Sequence, residues 1–289
     1  MSGINSVAAK PNYFFAPVAG ESAIGKVRDG NEDSGFISQF SLAVADGMGG
    51  HVGGEIASSI AIRQFASKLS MISDAQIDNE SREDLLLNLA LDIDQAISTE
   101  VASRPELEGM GTTLSSVTII GENVLLLHIG DSRCYRIRKK KISQLSVDHT
   151  VIQELLDQGR ISHEDIADHP QRSFLTQALM GKGEITPILV SYPAELGDIY
   201  LVCSDGLSGF VAESEIRDSF TSGDLTAAVN SLVAKAYERG APDNVTVIVG
   251  EISNQNHISQ MFLGAAQSDR KSTRLNSSHE WISRMPSSA

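Results

Sequence analysis

The chain has 289 residues, 41% of them hydrophobic and 21% charged, with a formal net charge of −14. That length sustains one large domain or two small ones around an ordinary core, and the composition is that of a soluble globular protein. The acidic balance supplies no basic stripe to displace counterions, which argues against nucleic-acid binding; no apolar stretch is long enough to span a bilayer and the start lacks a signal-peptide pattern, so a cytoplasmic protein without membrane attachment is expected.

Residues 1–19 read as an N-terminal extension in which Pro11 and Pro17 punctuate an aromatic patch, Tyr13-Phe14-Phe15, suited to an edge strand or a loose segment. From Ile24 a polar, turn-rich stretch leads into an apolar run that ends at Asp46, the pattern of two strands around a turn. In LAVADGMGGHVGGE, Leu42 to Glu55, a buried strand delivers one carboxylate to a glycine-rich turn, where close backbone approach and open carbonyls can hold a hard cation. Apolar spacing then predicts two helices, Glu55 to Leu69 and about Arg82 to Ser103, which should pair and cover a sheet face.

The period changes after Gly111. Short β-rich runs at Thr113 to Ile120, Asn123 to Ile129, Arg133 to Arg138 and Ile142 to Leu145 predict an antiparallel meander. A short helix is expected from Asp148 to Gly159, with Asp148 as cap and Val151, Leu155 and Leu156 facing inward. Residues 160–185 are polar and irregular, with His163 and His169 inside and His149 just before, and irregular segments of this length are often functional. Strands resume at Ile188 to Tyr192 and Asp198 to Cys203, a helical region runs from Ser214 through Arg239, and a turn carrying Asp243 enters a last apolar strand. The order predicts an α+β fold of antiparallel sheets covered by helices rather than a doubly wound parallel sheet.

Cys134 and Cys203 lie in apolar runs and are expected to be buried thiols, not a disulfide or a zinc site. Beyond Ser253 the chain is rich in serine and asparagine without a sustained period and reads as a disordered tail, residues 254–289. Its last part, from about residue 271, looks like translated sequencing-adapter read-through and is left out of the fold reasoning.

Asp46 and Asp205 end apolar strands, Asp243 stands just before one, and Asp131 occupies a strand-to-strand turn. Carboxylates set repeatedly against apolar strands are costly unless their charge is compensated, and cations compensate it economically. An all-oxygen donor set without matching His or Cys favours magnesium or manganese. A carboxylate shared by two cations about 3.5–4 Å apart makes a centre able to activate water and stabilise in-line displacement at phosphorus. Arg28, near Glu32 and Asp33, offers a guanidinium fork for phosphate.

The motifs from Gly25 to Asp33, Ala45 to Gly50, Gly111 to Thr113, Gly130 to Arg133, Cys203 to Gly206 and Pro242 to Thr246 resemble, in order, those of the metal-dependent type 2C serine/threonine phosphatases, over roughly residues 20–252 of a catalytic domain expected at 20–253. The resemblance implies a four-layer α-β-β-α sandwich, two antiparallel sheets flanked by helix pairs, with two core Mn2+ or Mg2+ ions at one end and a weaker third. It implies hydrolysis of phosphoserine and phosphothreonine in proteins by metal-activated water, opposing a cognate bacterial Ser/Thr kinase, with the chain acting as a monomer. It assigns Asp46 as the bridging ligand, the Gly47 carbonyl to one ion, Asp205 and Asp243 to the first ion, and Asp131 with Asp205 to the third. Arg28 corresponds to the phosphate-binding arginine, Glu32 and Asp33 act directly or through water, and Asn244 orients Asp243. Met48 stands where many eukaryotic members carry histidine, which matches bacterial members and leaves the proton donor unassigned; His51 is nearby in sequence, but a metal-bound water is the safer candidate. Two other readings share these residues: a catalytically silent phosphoprotein-binding module and a hydrolase of small phosphate esters.

Overall fold

A computed structural model describes residues 13–267, apart from 51, 73–77, 167–168 and 257–259. In chain order the strands are β1 (Phe14–Ala23), β2 (Ser34–Ser38), β3 (Ser41–Ala45) and the two-residue β4 (Gly47–Met48), followed by helices α1 (Gly53–Ile72) and α2 (Asn79–Ser103). A second two-residue strand, β5 (Gly111–Thr112), precedes the meander β6 (Leu114–Ile120), β7 (Asn123–Ile129), β8 (Arg133–Arg138) and β9 (Lys141–Gln144). Then come α3 (Val151–Asp157), β10 (Ile188–Pro193), β11 (Ile199–Cys203), α4 (Asp205–Ser208), α5 (Glu213–Ser219), α6 (Leu225–Glu238), β12 (Val245–Ser253) and β13 (Gln260–Gly264).

Successive side chains of a strand point to opposite faces, so strands apolar on both faces need a cover on each. β3 shows this: Leu42 and Val44 face one way, Ala43 and Ala45 the other, and all four are buried. The strands form two antiparallel sheets, β1-β12-β11-β8-β9 and β10-β7-β6-β3-β2-β13. Between them lie Phe15, Leu42, Val117, Leu126, Tyr200 and Ile248. The outer face of the second sheet packs on α1 and α2 through Phe36, Ile62, Phe65, Leu89 and Ile93. The outer face of the first packs on α5 and α6 through Leu201, Val247, Ile216, Val229 and Leu232. Three apolar layers make the expected four-layer α-β-β-α sandwich, and both cysteines are buried free thiols.

Four local readings are decided or changed. The aromatic patch, left open between an edge strand and a loose segment, is the edge strand β1, paired with β12 from Phe14 onward. The region after Ser253 contributes β13, which pairs Phe262 with Phe36 and closes the far edge of the second sheet, so residues 260–264 are not a disordered tail. Their only sequence signal is a brief apolar run too short for periodicity to register. The read-through segment from about residue 271 lies outside the described residues.

In the third change, Thr150 rather than Asp148 caps α3, accepting from the Gln153 N–H. Asp148 is instead gripped by the Arg133 fork, with Nε donating at 3.0 and 2.9 Å and Nη2 at 2.7 Å. The buried residue of α3 is Ile152, while Val151, Leu155 and Leu156 are half-buried. Fourth, the region from Ser214 to Arg239 splits into two helices: Gly223 takes φ +77°, and Asp224 caps α6 by accepting from Thr226 and Ala227. Among the described residues, no helix is long and apolar enough to cross a membrane.

Candidate metal centre

Strand register gathers the acidic residues at one end of the sandwich. Ser34 pairs with Ala45, Leu114 with Ile129, Cys203 with Arg133, and Val245 with Ala23. Asp33, Asp46, Asp131, Asp205 and Asp243 each lie one or two residues beyond one of these paired ends and share one rim. The two sheets are tied together there, because Ser204 Oγ donates to Asp33 Oδ2 at 2.7 Å.

Asp46 is held by its backbone. Its N–H donates to Thr113 Oγ1 at 2.9 Å, and its carbonyl accepts from the Thr113 N–H and Thr112 Oγ1, both at 2.9 Å. Gly47 continues into β4, paired with Thr112 of β5. A Cβ there would stand 2.1 Å from the Gly54 carbonyl oxygen and 2.6 Å from that of Glu32, so only glycine lets this turn sit against the start of α1. Met48 is half-buried opposite Gly111, and His51 lies outside the described residues.

Arg28 stands at the exposed edge of the rim. Its Nη2 donates to Asp243 Oδ2 at 2.7 Å, and Nη1 lies 3.7 Å from Glu32 Oε2. The Asn244 backbone N–H, which any residue but proline would supply, donates to Asp243 Oδ1 at 2.8 Å. Its side chain does something else: Nδ2 donates to the carbonyls of Ile24 and Gly30 and Oδ1 accepts from the Glu32 N–H, fixing the loop that carries Arg28 and Glu32.

Like charges crowded out of water favour the protonated form. Burial pushes Asp33 up to about 7, reinforced by Asp205 and Asp243 and opposed by the Ser204 and Thr246 hydroxyls. Asp131 is pushed up to about 7 by burial and then by Asp205 and Asp148. Asp205 is pushed up to about 6 by burial and Asp243, restrained by a hydrogen bond from Asp46 and by Arg28 and Arg133. Asp46 rises well above the usual carboxylate range through burial and the charges of Asp33, Asp205, Asp131 and Asp243.

Two carboxylate oxygens of this rim, Asp33 Oδ1 and Asp205 Oδ1, are buried and receive no hydrogen bond. A buried carboxylate oxygen without a donor is costly, and a divalent cation against it would offset that cost. The residues therefore fit hard divalent ions. Among the described residues, no three His, Cys, Asp or Glu side chains converge closely enough to enclose an ion unaided. Electrostatic coupling reaches farther than coordination, and such a set suits ions whose remaining positions are filled by a backbone carbonyl and water, as magnesium and manganese accept. A cavity of about 550 Å³ opens beside Asp131 and Asp205 and is walled by Arg133, Ile152, Leu156 and Phe210.

Sequence reasoning missed the hydroxyls that brace this rim. Thr113 Oγ1 and Ser132 Oγ share a 2.7 Å hydrogen bond, as do Ser22 Oγ and Thr246 Oγ1, and the Thr246 N–H donates to Ser204 Oγ at 3.0 Å. Thr113, Ser132, Ser204 and Thr246 sit inside the quoted motifs, but nothing in one sequence separates a bracing hydroxyl from a solvated one. Of the described histidines, His128 packs 5.1 Å from His149, ring to ring, and is held by Ser115 and the Val147 carbonyl, while His149 Nδ1 accepts from the Gly130 N–H at 3.1 Å, one residue from Asp131.

Residues 31–244 match the family model described as protein phosphatase 2C. The chain is 40% identical over 237 residues to the serine/threonine protein phosphatase PstP of Mycobacterium tuberculosis, covering 81% of this chain but 44% of that protein, so it spans less than half the length of that relative. It is 34% identical over 233 residues to the serine/threonine phosphatase stp of Listeria welshimeri, covering 78% of this chain and 92% of that one. A crystal structure of the catalytic domain of a serine/threonine protein phosphatase PstP, in complex with two manganese ions, superposes with a TM-score of 0.75 at 36% identity, over 83% of this chain and 99% of that one.

Proposed function

The chain belongs to the protein phosphatase 2C family, and from that premise we propose that it hydrolyses phosphoserine and phosphothreonine monoesters in proteins at the Asp46 rim. The observation that carries the proposal is the pair of buried, donorless oxygens, Asp33 Oδ1 and Asp205 Oδ1, within a ring of carboxylates that share one rim. Two manganese or magnesium ions, if bound there, would supply charge neutralisation for that ring and Lewis acidity for the phosphoryl oxygens and a water. Asp46, the Gly47 carbonyl, Asp205 and Asp243 would hold them, and Asp131 with Asp205 a weaker third.

The protein's own groups divide the remaining work. Arg28 keeps one arm on Asp243, and its guanidinium, at the exposed edge of the rim, would meet the phosphate oxygens. Glu32 sets the other side of that arginine at 3.7 Å, and Asn244 anchors the loop on which both ride. Attack forms a bond from water oxygen to phosphorus as the ester bond to the serine or threonine oxygen breaks, and the departing oxygen takes a proton. Met48 cannot supply that proton, so it comes from water or from a group beyond the turn.

The relatives' names support a protein substrate and, with it, a serine/threonine kinase whose products this chain would reset; a monomer acting in the cytoplasm suits that role. The test is manganese-dependent phosphate release from a phosphothreonine peptide, run beside a small aryl phosphate. No turnover of either by manganese-loaded protein would overturn the proposal, and turnover of the small ester alone would make the chain a small-ester hydrolase.

A further inference from the structure

Asp94 lies in the middle of α2, on the helix layer, and is only 3% exposed. Its carboxylate is spent on backbone: the N–H groups of Met180 and Gly181 donate to Oδ1 at 2.9 and 2.7 Å, and that of Gly183 donates to Oδ2 at 2.7 Å. Three N–H groups turned onto one carboxylate require unusual backbone, and Gly181 and Gly183 both take φ +73°. A Cβ on Gly181 would stand 2.6 Å from the Ser98 backbone nitrogen, so the segment is pressed flat against α2.

What this clamp holds leads to the rim. Leu179, fully buried and next to Met180, exchanges two backbone hydrogen bonds with Thr112, each 2.9 Å. A Cβ on Gly111 would stand 3.0 Å from the Leu179 carbonyl oxygen, so β5 lies directly against the strap. Thr112 in turn pairs with Gly47 and donates from Oγ1 to the Asp46 carbonyl. β5 is two residues long and borders no large sheet, so β4 and the strap are its two strand partners.

We propose that Asp94 is a positioning residue for the metal-binding turn: by clamping residues 179–183 to α2 it fixes Thr112, and through Thr112 it sets the Asp46 and Gly47 backbone. The inference rests on the proposed role of Gly47 as a carbonyl ligand. Partners that orient metal ligands typically change metal affinity by about 10–100-fold when removed. Asp94→Ala exposes three unmet N–H groups, and Asp94→Asn keeps the shape while replacing one acceptor by a donor facing an N–H; Gly181→Ala loosens the same strap without touching the carboxylate.

Two measurements separate the readings. Hydrogen exchange on metal-free protein should show faster exchange at Gly47, Met48 and Thr112 in all three variants, with α6 unchanged. Calorimetry with manganese should show affinity weakened about 10-fold or more in Asp94→Asn and Gly181→Ala, and the KM for p-nitrophenyl phosphate should stay within about twofold while kcat falls, since the ligand turn and not the substrate contact has moved. Wild-type exchange at Gly47 and Met48 with a wild-type manganese isotherm, beside a lowered melting temperature, would reduce Asp94 to a structural residue and overturn the inference. Absence of manganese binding by the wild type would overturn the metal-centre reading, while the exchange data would still decide the clamp.

Discussion

Replacing Asp33 by asparagine should stabilise the metal-free protein, by an amount that grows with pH. Asp33 is fully buried, and its folded pKa of about 7 stands above the 3.8 of the unfolded chain. A carboxyl with a raised folded pKa binds its proton more tightly when folded. Its stabilising contribution is therefore complete below the unfolded pKa and is lost as pH climbs through the folded one. Between pH 5 and pH 7 the loss is about 1.4 kcal/mol per pH unit, so about 3 kcal/mol disappears by pH 8, a large part of a typical stability of about 5–15 kcal/mol.

His128 acts in the opposite sense. Burial pulls it down to about 3, so the wild type gains stability from this group as pH rises toward 6.5. Both proteins retain His128, and their difference removes it. Urea denaturation in a chelator at pH 5, 6, 7 and 8 should show the advantage of Asp33→Asn over wild type widening by about 3 kcal/mol. Manganese should narrow that gap, because cations at the cluster would neutralise the charge whose burial penalises wild type and leave less for the asparagine to relieve. A difference constant across the four pH values would show that Asp33 does not hold its proton in the folded state and would refute the crowded-carboxylate account of the rim.

Arg28→Ala should lower kcat/KM on a phosphothreonine peptide by about 10²–10³-fold, the effect of removing one preorganised donor. The folding cost should stay below about 1 kcal/mol, because the guanidinium is 45% exposed; a rate loss under tenfold would remove Arg28 from phosphate binding. Asp131→Asn should reduce turnover at saturating manganese while calorimetry still counts two tightly bound ions, and loss of either tight ion would reassign Asp131 to the core pair. Gly47→Ala places a Cβ 2.1 Å from the Gly54 carbonyl oxygen, so a stability loss of about 1–3 kcal/mol together with weaker manganese binding is expected. Wild-type manganese affinity in that variant would free the Gly47 carbonyl from the ligand set.

The sequence by itself determined the antiparallel strand runs, the helical stripes and the places where carboxylates meet apolar strands, while the four-layer stacking is what the family resemblance adds. Strands such as β3 and β12 are apolar on both faces, which can be satisfied only between two covers, and α1, α2 and α6 carry their apolar stripes at helical spacing. The aspartates at the ends of such strands were legible for the same reason, since a charge directly against an apolar run needs a compensating partner. Local signals failed where a residue's partner is distant in the chain. Asp148 has the composition of a helix cap, but Arg133 takes it; Gln260 to Gly264 is a strand only because β2 offers an open edge. Asn244 sits beside Asp243 in sequence, yet its side chain is committed to a loop more than two hundred residues earlier. Asp94 carries no local signal of its own on a long helix, and only the folded chain brings three backbone N–H groups to its carboxylate. Short-range pattern records which groups must be buried or neutralised, whereas tertiary packing decides which buried group meets which partner, because hydrogen bonds and charges are satisfied by neighbours in space.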